Sequence, residues 1–238
     1  MNDHHSLEHE SLRILKTYGQ RDARGKAALY AWDQKDFPYI RYRQTAEWAA
    51  AFKKIGLVDL AGLEILDVGC GSGWWLRMLS EWGGTTSHLH GVDLLEDRID
   101  KAKALSPPEM DFRVSNSWPL PYSDGSMDIC AASTVFSSIL ASSARLALAQ
   151  EMGRVLRIGG WIMVFDYAVS DPRNPDTIGI GRSEIQRLFS ELEFAHTKRL
   201  ILAPPLLRRL PRYLLWLANG IEICMPFLCT HRLYLLRN

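Results

Sequence analysis

Three glycines at alternate positions follow a short apolar run, and an acidic residue ends the next apolar run. The first run, Ile65–Val68, leads directly into Gly69, Gly71 and Gly73. Glycine allows a tight turn and lets a ligand approach the backbone where a Cβ atom would clash. Asp93 stands twenty residues after Gly73, and a carboxylate there can accept hydrogen bonds from both hydroxyls of a ribose. The spacing therefore predicts a nucleotide-like ligand at the carboxyl ends of two neighbouring strands.

Two common nucleotide-binding loops do not fit this segment. A dinucleotide loop, G-x-G-x-x-G, requires its third glycine at the position of Trp74, whose bulk would obstruct the packing of helix on strand. A Walker A loop requires Lys followed by Ser or Thr after the glycines, and none follows here. The pattern D-x-G-x-G-x-G, from Asp67 to Gly73, instead resembles the cofactor loop of class I S-adenosylmethionine-dependent methyltransferases of the type 11-like group.

This resemblance implies S-adenosyl-L-methionine as the cofactor and S-adenosyl-L-homocysteine as the product. In that family the acid at the position of Asp67 lies near the methionine amino group. We therefore expect the cofactor to contact Asp67, Gly69, Cys70, Gly71, Asp93, Leu94, Asn116, Ser117 and Ser133. The alternative for the glycines is a plain tight turn, and for Asp93 it is a helix N-cap. Cys70 is interpreted as a small residue that fits the loop rather than as a nucleophile.

Further segments carry the same resemblance over residues 62–167. Residues 114–129 are similar to the family's "GDA-x-x-LPF-x-DGSFD", with Leu120–Tyr122 in register. In that register Asn116 replaces the acid that contacts adenine, and its side-chain oxygen can still accept from the adenine amino group, without charge. Glu151–Gly160 resembles the family's "E-x-x-R-V-L-K-P-G-G" turn, which is structural. Together these motifs are specific for the family and silent on the methyl acceptor.

Methyl transfer requires a nucleophile held in line with the methyl group, about 3 Å away, with water excluded. A hydroxyl acceptor also requires a base at hydrogen-bond distance. Ser133 and Thr134 end the predicted fourth strand and are candidates for the acceptor side, with strand-end capping as the alternative. His231 is the candidate base that precedes the last strand, although a structural histidine is the favoured interpretation. The sequence assigns no catalytic residue, and no metal-ligand cluster is visible.

The elements that position these residues alternate between strand and helix. This alternation predicts an α/β fold with a doubly wound, seven-stranded, mostly parallel Rossmann-like sheet. We predict strands at 65–68, 89–92, 112–114, 127–132, 161–167, 195–203 and 230–236, and helices at 6–18, 42–55, 74–82, 95–105, 142–156 and 182–192.

The chain is expected to divide into a helical lid over residues 1–60 and a methyltransferase domain over 61–238. A helical insertion, 204–229, would separate the last two strands. An aromatic connector at residues 29–42 could close over the cofactor or serve as ordinary core, and its aromatic residues include Tyr30, Trp32, Tyr39 and Tyr42.

Composition limits the class of protein. The chain has 238 residues, 28 basic and 27 acidic side chains and a net charge of +1, which does not favour a nucleic-acid partner. Its four cysteines form no CxxC pair, so neither a disulfide scaffold nor a zinc site is expected. The N-terminus lacks the apolar segment of a signal peptide, and no run of 18 apolar residues is present. A cytoplasmic protein is predicted.

The C-terminal part of the chain is basic. Residues 198–238 contain seven Lys or Arg and a single acid, Glu222. Within them, Arg208, Arg209 and Arg212 stand beside the apolar run Leu214–Leu217. Such a basic amphipathic unit could cap the active site, pair with a second subunit or touch the inner face of an anionic membrane. The alternative is a helix packed on the core with solvated arginines.

The C-terminal pattern "LAPPLLRRL … THRLYLLR" also looks like methyltransferases associated with bacterial polysaccharide assembly. This resemblance implies O-methylation of a sugar or glycan, free or lipid-linked, in polysaccharide biosynthesis. Two alternatives stay open. The acceptor could be another small metabolite with an O, N or C nucleophile, or the chain could bind the cofactor as a catalytically silent partner protein.

Overall fold

Seven strands form a single sheet in the computed structural model, which describes residues 2–23, 34, 36–116, 118–172 and 174–238. Tyr30, Trp32 and Ser117 lie outside the described residues. The strands are β1 (Ile65–Val68), β2 (Leu89–Asp93), β3 (Asp111–Val114), β4 (Met127–Ser133), β5 (Leu156–Tyr167), β6 (Glu193–Leu202) and β7 (Cys229–Arg237).

The strand order is β3-β2-β1-β4-β5-β7-β6. The neighbours from β3 to β5 pair in parallel, whereas β7 runs antiparallel to both β5 and β6. The chain order reverses between β1 and β4, and ligands of open α/β sheets bind outside the carboxyl ends of the strands at such a point. The predicted seven-stranded, mostly parallel α/β sheet is confirmed.

Helices cover both faces of this sheet. Neighbouring residues of β1 point in opposite directions, so that Ile65 and Leu66 belong to cores on opposite faces. The Ile65 face packs against α2, α3 and α4, and the Leu66 face packs against α1, α5 and α6. The helices are α1 (Asn2–Ala23), α2 (Phe37–Lys54), α3 (Trp74–Glu81), α4 (Glu96–Leu105), α5 (Ser142–Val155), α6 (Arg182–Leu188), α7 (Pro204–Arg209) and α8 (Leu215–Cys224).

Several element boundaries differ from the sequence-based prediction, and two of them have a clear cause. Helix α2 begins at Phe37 rather than at residue 42, because Pro38 fits the first helical turn, where a missing N–H costs nothing. Tyr39 and Tyr42, predicted to lie in a connector, are therefore helical. Strand β5 begins at Leu156 rather than at residue 161, since Leu156 already pairs with Met127 before an irregularity in the ladder.

The segment between β6 and β7 is anchored by one buried acid. Glu222 of α8 accepts hydrogen bonds from the Tyr39 hydroxyl at 2.9 Å, from Arg43 Nε at 3.0 Å and from the Leu202 backbone N–H at 2.9 Å. This carboxylate therefore joins α8 to α2 and to β6. In the described part of the chain, no helix has the length and apolar character needed to cross a bilayer.

Candidate functional site

The glycine loop is attached to the end of β2 by its own backbone. The N–H groups of Gly69 and Cys70 donate to the Val92 carbonyl at 2.8 and 2.9 Å. Gly69 has φ +70°, and a Cβ atom there would lie 2.5 Å from Cγ2 of Val135. Both the left-handed backbone and the close approach of Val135 require glycine at this position. The loop is therefore fixed between β2 and the segment that follows β4.

Asp93 holds the other side of the loop. Its two carboxylate oxygens accept hydrogen bonds from the N–H groups of Gly71 at 2.8 Å and Leu95 at 2.9 Å. Gly71 has φ +54°, and a Cβ atom built on it meets no other atom within 4 Å, so open space adjoins the loop there. Burial raises the pKa of Asp93, while these two backbone hydrogen bonds oppose the shift. The carboxylate thus joins the glycine loop to the start of α4.

Asp67 is a buried carboxylate without a hydrogen-bond donor among the described residues. It lies in the middle of β1, opposite Gly91 of β2 and Ala131 of β4, and only 3% of its surface is exposed. Burial raises its pKa well above the ordinary range, and repulsion from Asp93 adds to the shift. A buried, unpaired acid is costly unless a cation or donor joins it. The site is therefore suited to a ligand that carries positive charge.

Asp67→Asn is expected to make the ligand-free protein more stable at pH 8, by roughly 1–3 kcal/mol, because the variant no longer ionises a buried acid. When the folded-state pKa of an acid lies above its unfolded value, the contribution of that acid to the free energy of unfolding is present at low pH. It is lost as the pH rises through the folded-state pKa. Thermal unfolding from pH 5 to 8 should show this loss in the original protein and a weaker loss in the variant. Two parallel curves would contradict the expectation.

Helix α2 brings two further polar side chains to the carboxyl edge of the sheet. Gln44 Nε2 donates to the Ser133 hydroxyl at 3.1 Å, and Arg41 Nη1 donates to Gln44 Oε1 at 3.1 Å. The Arg41 guanidinium lies 4.3 Å from the ring centroid of Trp74, the residue after the glycine loop. Burial lowers the pKa of Arg41, and no carboxylate of the described residues pairs with it. A half-buried cation that no described carboxylate pairs with can receive an anionic group of a ligand.

Sequence reasoning did not identify Arg41 or Gln44. Their spacing places them on one helical face. Trp48 follows on the same face and packs against Trp75 and Phe165 of the core. Polar residues in line with a buried tryptophan could have been noticed. Their contact with the end of β4 depends on how α2 crosses the sheet, which the local sequence does not specify.

The remaining predicted contacts lie near the same edge. Cys70 is buried and its Sγ lies 3.7 Å from the Gly71 carbonyl; burial raises the pKa of this thiol far above its usual value, which agrees with a space-filling role. Asn116 is exposed, and its side-chain oxygen accepts from the Trp118 N–H at 3.2 Å. Leu94 is half-buried directly after Asp93. Their contact with a cofactor stays a prediction.

The backbone after β4 is strained. Thr134 has φ +58°, a conformation that costs a β-branched residue about 1–2 kcal/mol. Its N–H donates to the Phe165 carbonyl at 2.7 Å, and its hydroxyl donates to the Ser133 carbonyl at 2.7 Å. Val135, the next residue, is the one that approaches Gly69. The strain lies where the sequence predicts the acceptor side, beside the glycine loop.

The two titratable groups at the ends of β5 and β7 are enclosed. Asp166 accepts from the N–H groups of Ser137 at 3.1 Å and Tyr167 at 2.8 Å, and burial raises its pKa to about 6. His231 stacks on Phe165 and contacts Tyr167, and burial lowers its pKa to about 3. His231 is therefore neutral at physiological pH. We assign neither group as a catalytic base, because both are buried and engaged by neighbours.

Known proteins are similar to this chain in sequence and in fold. Residues 65–160 match the family described as "Methyltransferase domain". A demethylmenaquinone methyltransferase of Lactococcus lactis subsp. lactis is 33% identical over 132 residues, which are 53% of this chain and 50% of that protein. Further matches carry the same name. The chain spans about half the length of the curated relatives it matches.

Solved structures match over more of the chain at lower identity. An S-adenosylmethionine dependent methyltransferase from Mesorhizobium loti has a TM-score of 0.57 and 15% identity over 87% of this chain and 99% of that chain. The [4+2]-cyclase SpnF has a TM-score of 0.55 and 16% identity over 82% of this chain and 81% of its own. The match over residues 65–160 and the shared fold agree with the predicted enzyme class and cofactor. They give no support to the polysaccharide-associated group.

Proposed function

We propose that this protein, whose residues 65–160 form an S-adenosylmethionine-dependent methyltransferase domain, transfers a methyl group to a small apolar metabolite. The observation that carries the methyl-transfer proposal is the pair of buried carboxylates at the glycine loop. Asp67 has no donor among the described residues, and Asp93 accepts from the N–H group of Gly71, beside which there is open space. Two acids whose pKa values burial raises are suited to a cationic ligand.

The residues present fit S-adenosylmethionine as a whole. Asp67 would hold its ammonium group, and Asp93 would accept from its ribose hydroxyls. Arg41, the half-buried cation near the same loop, would receive its carboxylate. The open space beside Gly71 leaves room for a ligand against the backbone. Cys70, Leu94, Asn116, Ser117 and Ser133 are proposed to complete the contacts.

The reaction needs little covalent participation from the chain. The bound cofactor supplies a methyl group on a positively charged sulfur. An electron pair of the acceptor would form the new bond to the methyl carbon as the carbon–sulfur bond breaks, and the electrons of the broken bond would stay on sulfur. The acceptor's proton goes to solvent or to a base on the acceptor itself, because we assign no base to the described residues. We expect three side chains to position the acceptor and exclude water: Ser133, Thr134 and Gln44.

For the acceptor, we propose a small metabolite in place of the glycan that the C-terminal pattern favours. The relatives at 27–33% identity are named demethylmenaquinone methyltransferase. Their matched region is about half of each protein, so demethylmenaquinone is the first acceptor to assay. The apolar residues around the segment between β6 and β7 agree with an apolar acceptor.

The test is methyl transfer from methyl-labelled S-adenosylmethionine to demethylmenaquinone that dithionite has reduced to the quinol, in mild detergent, followed by chromatography and mass spectrometry of the product. Label in the quinone fraction, lost in Asp67→Asn, is the expected result. A set of sugars and lipid-linked glycans assayed in parallel distinguishes the acceptor classes. Transfer to a glycan alone would overturn the proposed acceptor and leave the methyltransferase assignment standing.

A cofactor-binding protein without methyl transfer is the second candidate. The observation that favours it is that Asp166 and His231, near the end of β5, are both enclosed and therefore not accessible as bases. The cyclase among the solved structures has the same fold, so the fold alone does not set the reaction. Micromolar binding of S-adenosylmethionine with no transfer to either acceptor class would favour this candidate.

A further inference from the structure

Part of the outer surface of the segment between β6 and β7 is apolar. Five large apolar side chains of this segment are exposed, and we refer to them as the apolar face: Tyr213, Trp216, Ile223, Met225 and Phe227. Trp216, Ile223 and Phe227 are each about 70% exposed. From Ile223 to Phe227 the chain presents five consecutive exposed residues, none of them polar apart from the Cys224 thiol. Contiguous exposed apolar residues of this size mark an interaction site.

The apolar face is one side of a correctly packed amphipathic unit. Trp216 and Ile223 are seven residues apart in α8, which places them on the same side of the helix. The opposite side buries Ala218 and Glu222 against α2 and β6. Since Glu222 holds this side to the body of the protein, the exposure of the apolar face does not result from a loose helix.

The charges around the apolar face have one sign. Arg208 and Arg209 of α7 are exposed, and Arg212 belongs to the same segment. Arg208 pairs with Asp36 at 2.8 Å and keeps half of its side chain exposed. The segment's single acid, Glu222, is buried against Arg43. An apolar face in a segment whose exposed charges are arginines, without an exposed carboxylate of that segment, complements a surface that is both apolar and anionic.

The apolar face lies next to the carboxyl edge of the sheet. Phe227 is followed within two residues by β7, whose His231 pairs with Tyr167 at the end of β5. On α2, the exposed Tyr42 stands two residues before Gln44, which contacts Ser133. A surface that seats on the apolar face is therefore close to the proposed acceptor site.

We propose that the apolar face docks the protein onto the surface of a bilayer that contains anionic lipid, so that an apolar acceptor enters the site from the membrane. The supply of acceptor rests on the proposed function, whereas the docking itself does not. A second copy of the chain is the less suitable occupant. A twofold contact through this face would bring the arginines of both copies to one interface.

Vesicle sedimentation of the full chain tests the proposal. The probes are vesicles of phosphatidylcholine alone and vesicles with 30% phosphatidylglycerol, at low and high salt. The expected result is binding to the anionic vesicles, weakened by salt. The double variant Trp216→Ser/Phe227→Ser should bind at least tenfold more weakly, and Arg209→Gln severalfold. Ile158→Ser, which removes an exposed apolar side chain from a distant turn, is the matched control and should bind normally.

The outcomes separate docking from catalysis. Calorimetry of S-adenosylmethionine without vesicles shows whether each variant is folded and binds cofactor, and it should be unchanged in the double variant. Absence of vesicle binding, or equal binding by the double variant, would overturn the docking proposal. Analytical ultracentrifugation showing a dimer that the same double variant dissociates would identify a second copy as the occupant instead. None of these results depends on which acceptor is methylated.

Discussion

Asp93→Ala is expected to weaken S-adenosylmethionine binding by a hundredfold or more. The ribose hydroxyls of the ligand would lose their charge-assisted hydrogen bonds to the Asp93 carboxylate, each worth about 1.5–3 kcal/mol. The loop would also lose the anchors at Gly71 and Leu95, which Asp93 holds at 2.8 and 2.9 Å. Isothermal titration with S-adenosylmethionine and with S-adenosylhomocysteine measures the effect. Both ligands should be affected, because both carry the ribose.

The control for this variant must separate ligand contact from folding. Asp97→Ala removes an exposed acid from the first turn of α4, four residues away, and should leave binding within about twofold. Thermal unfolding of Asp93→Ala without ligand shows whether the fold survives. A folded Asp93→Ala protein that binds within threefold of the original would remove Asp93 from the cofactor site. The whole assignment of the glycine loop would then fail with it.

Glu222→Ala is expected to destabilise the protein by about 3–5 kcal/mol. It leaves the buried guanidinium of Arg43 without its principal partner, and removing one member of a buried ion pair costs this much. The Tyr39 hydroxyl and the Leu202 N–H would lose their acceptor as well. For a chain of this size the loss lowers the unfolding temperature by roughly 6–20 °C. Urea unfolding followed by circular dichroism measures it.

Two comparison variants show whether the loss of stability comes from the buried network around Glu222. Glu222→Gln keeps an oxygen for Tyr39 and Leu202, so it should cost less than alanine. Asp124→Ala breaks the exposed ion pair with Arg154 and should cost under about 1 kcal/mol. If Glu222→Ala were as mild as Asp124→Ala, the buried network would not hold α8 in place. The orientation of the apolar face would then lose its physical basis.

The elements around the glycine loop were predictable because their determinants are local. The run Ile65–Val68 is apolar at every position except Asp67, as a strand buried on both faces requires. The glycines that end it have positive φ in the structure, the backbone conformation for which glycine is needed. The prediction of β1 is identical to the observed strand. That of α3 is one residue too long, since its limits are set by Gly73 and by the turn at Gly83 and Gly84.

The predicted boundaries of elements that no glycine turn limits were less accurate. The start of α2 was placed five residues late because the aromatic residues before position 42 read as a connector. Pro38 instead indicates that a helix begins near it, since proline is favoured in the first helical turn. The end of α6 was placed at residue 192 rather than at Leu188, because the apolar spacing continues through Phe189 and Leu192 after the helix has ended.

The sequence by itself determined the α/β sheet, the glycine loop, Asp93 and the class of cofactor. Each follows from residues close together in the chain, where backbone conformation and strand ends are set locally. Only the tertiary structure decided that Arg41 and Gln44 reach the site and that Asp67 has no donor among the described residues. Only tertiary packing gives Glu222 its partners on α2 and β6, and it thereby decides which face of α8 stays exposed. These properties depend on how helices cross a sheet, and the partners that α2 brings to Ser133 and Glu222 are 89 to 183 residues away in the chain.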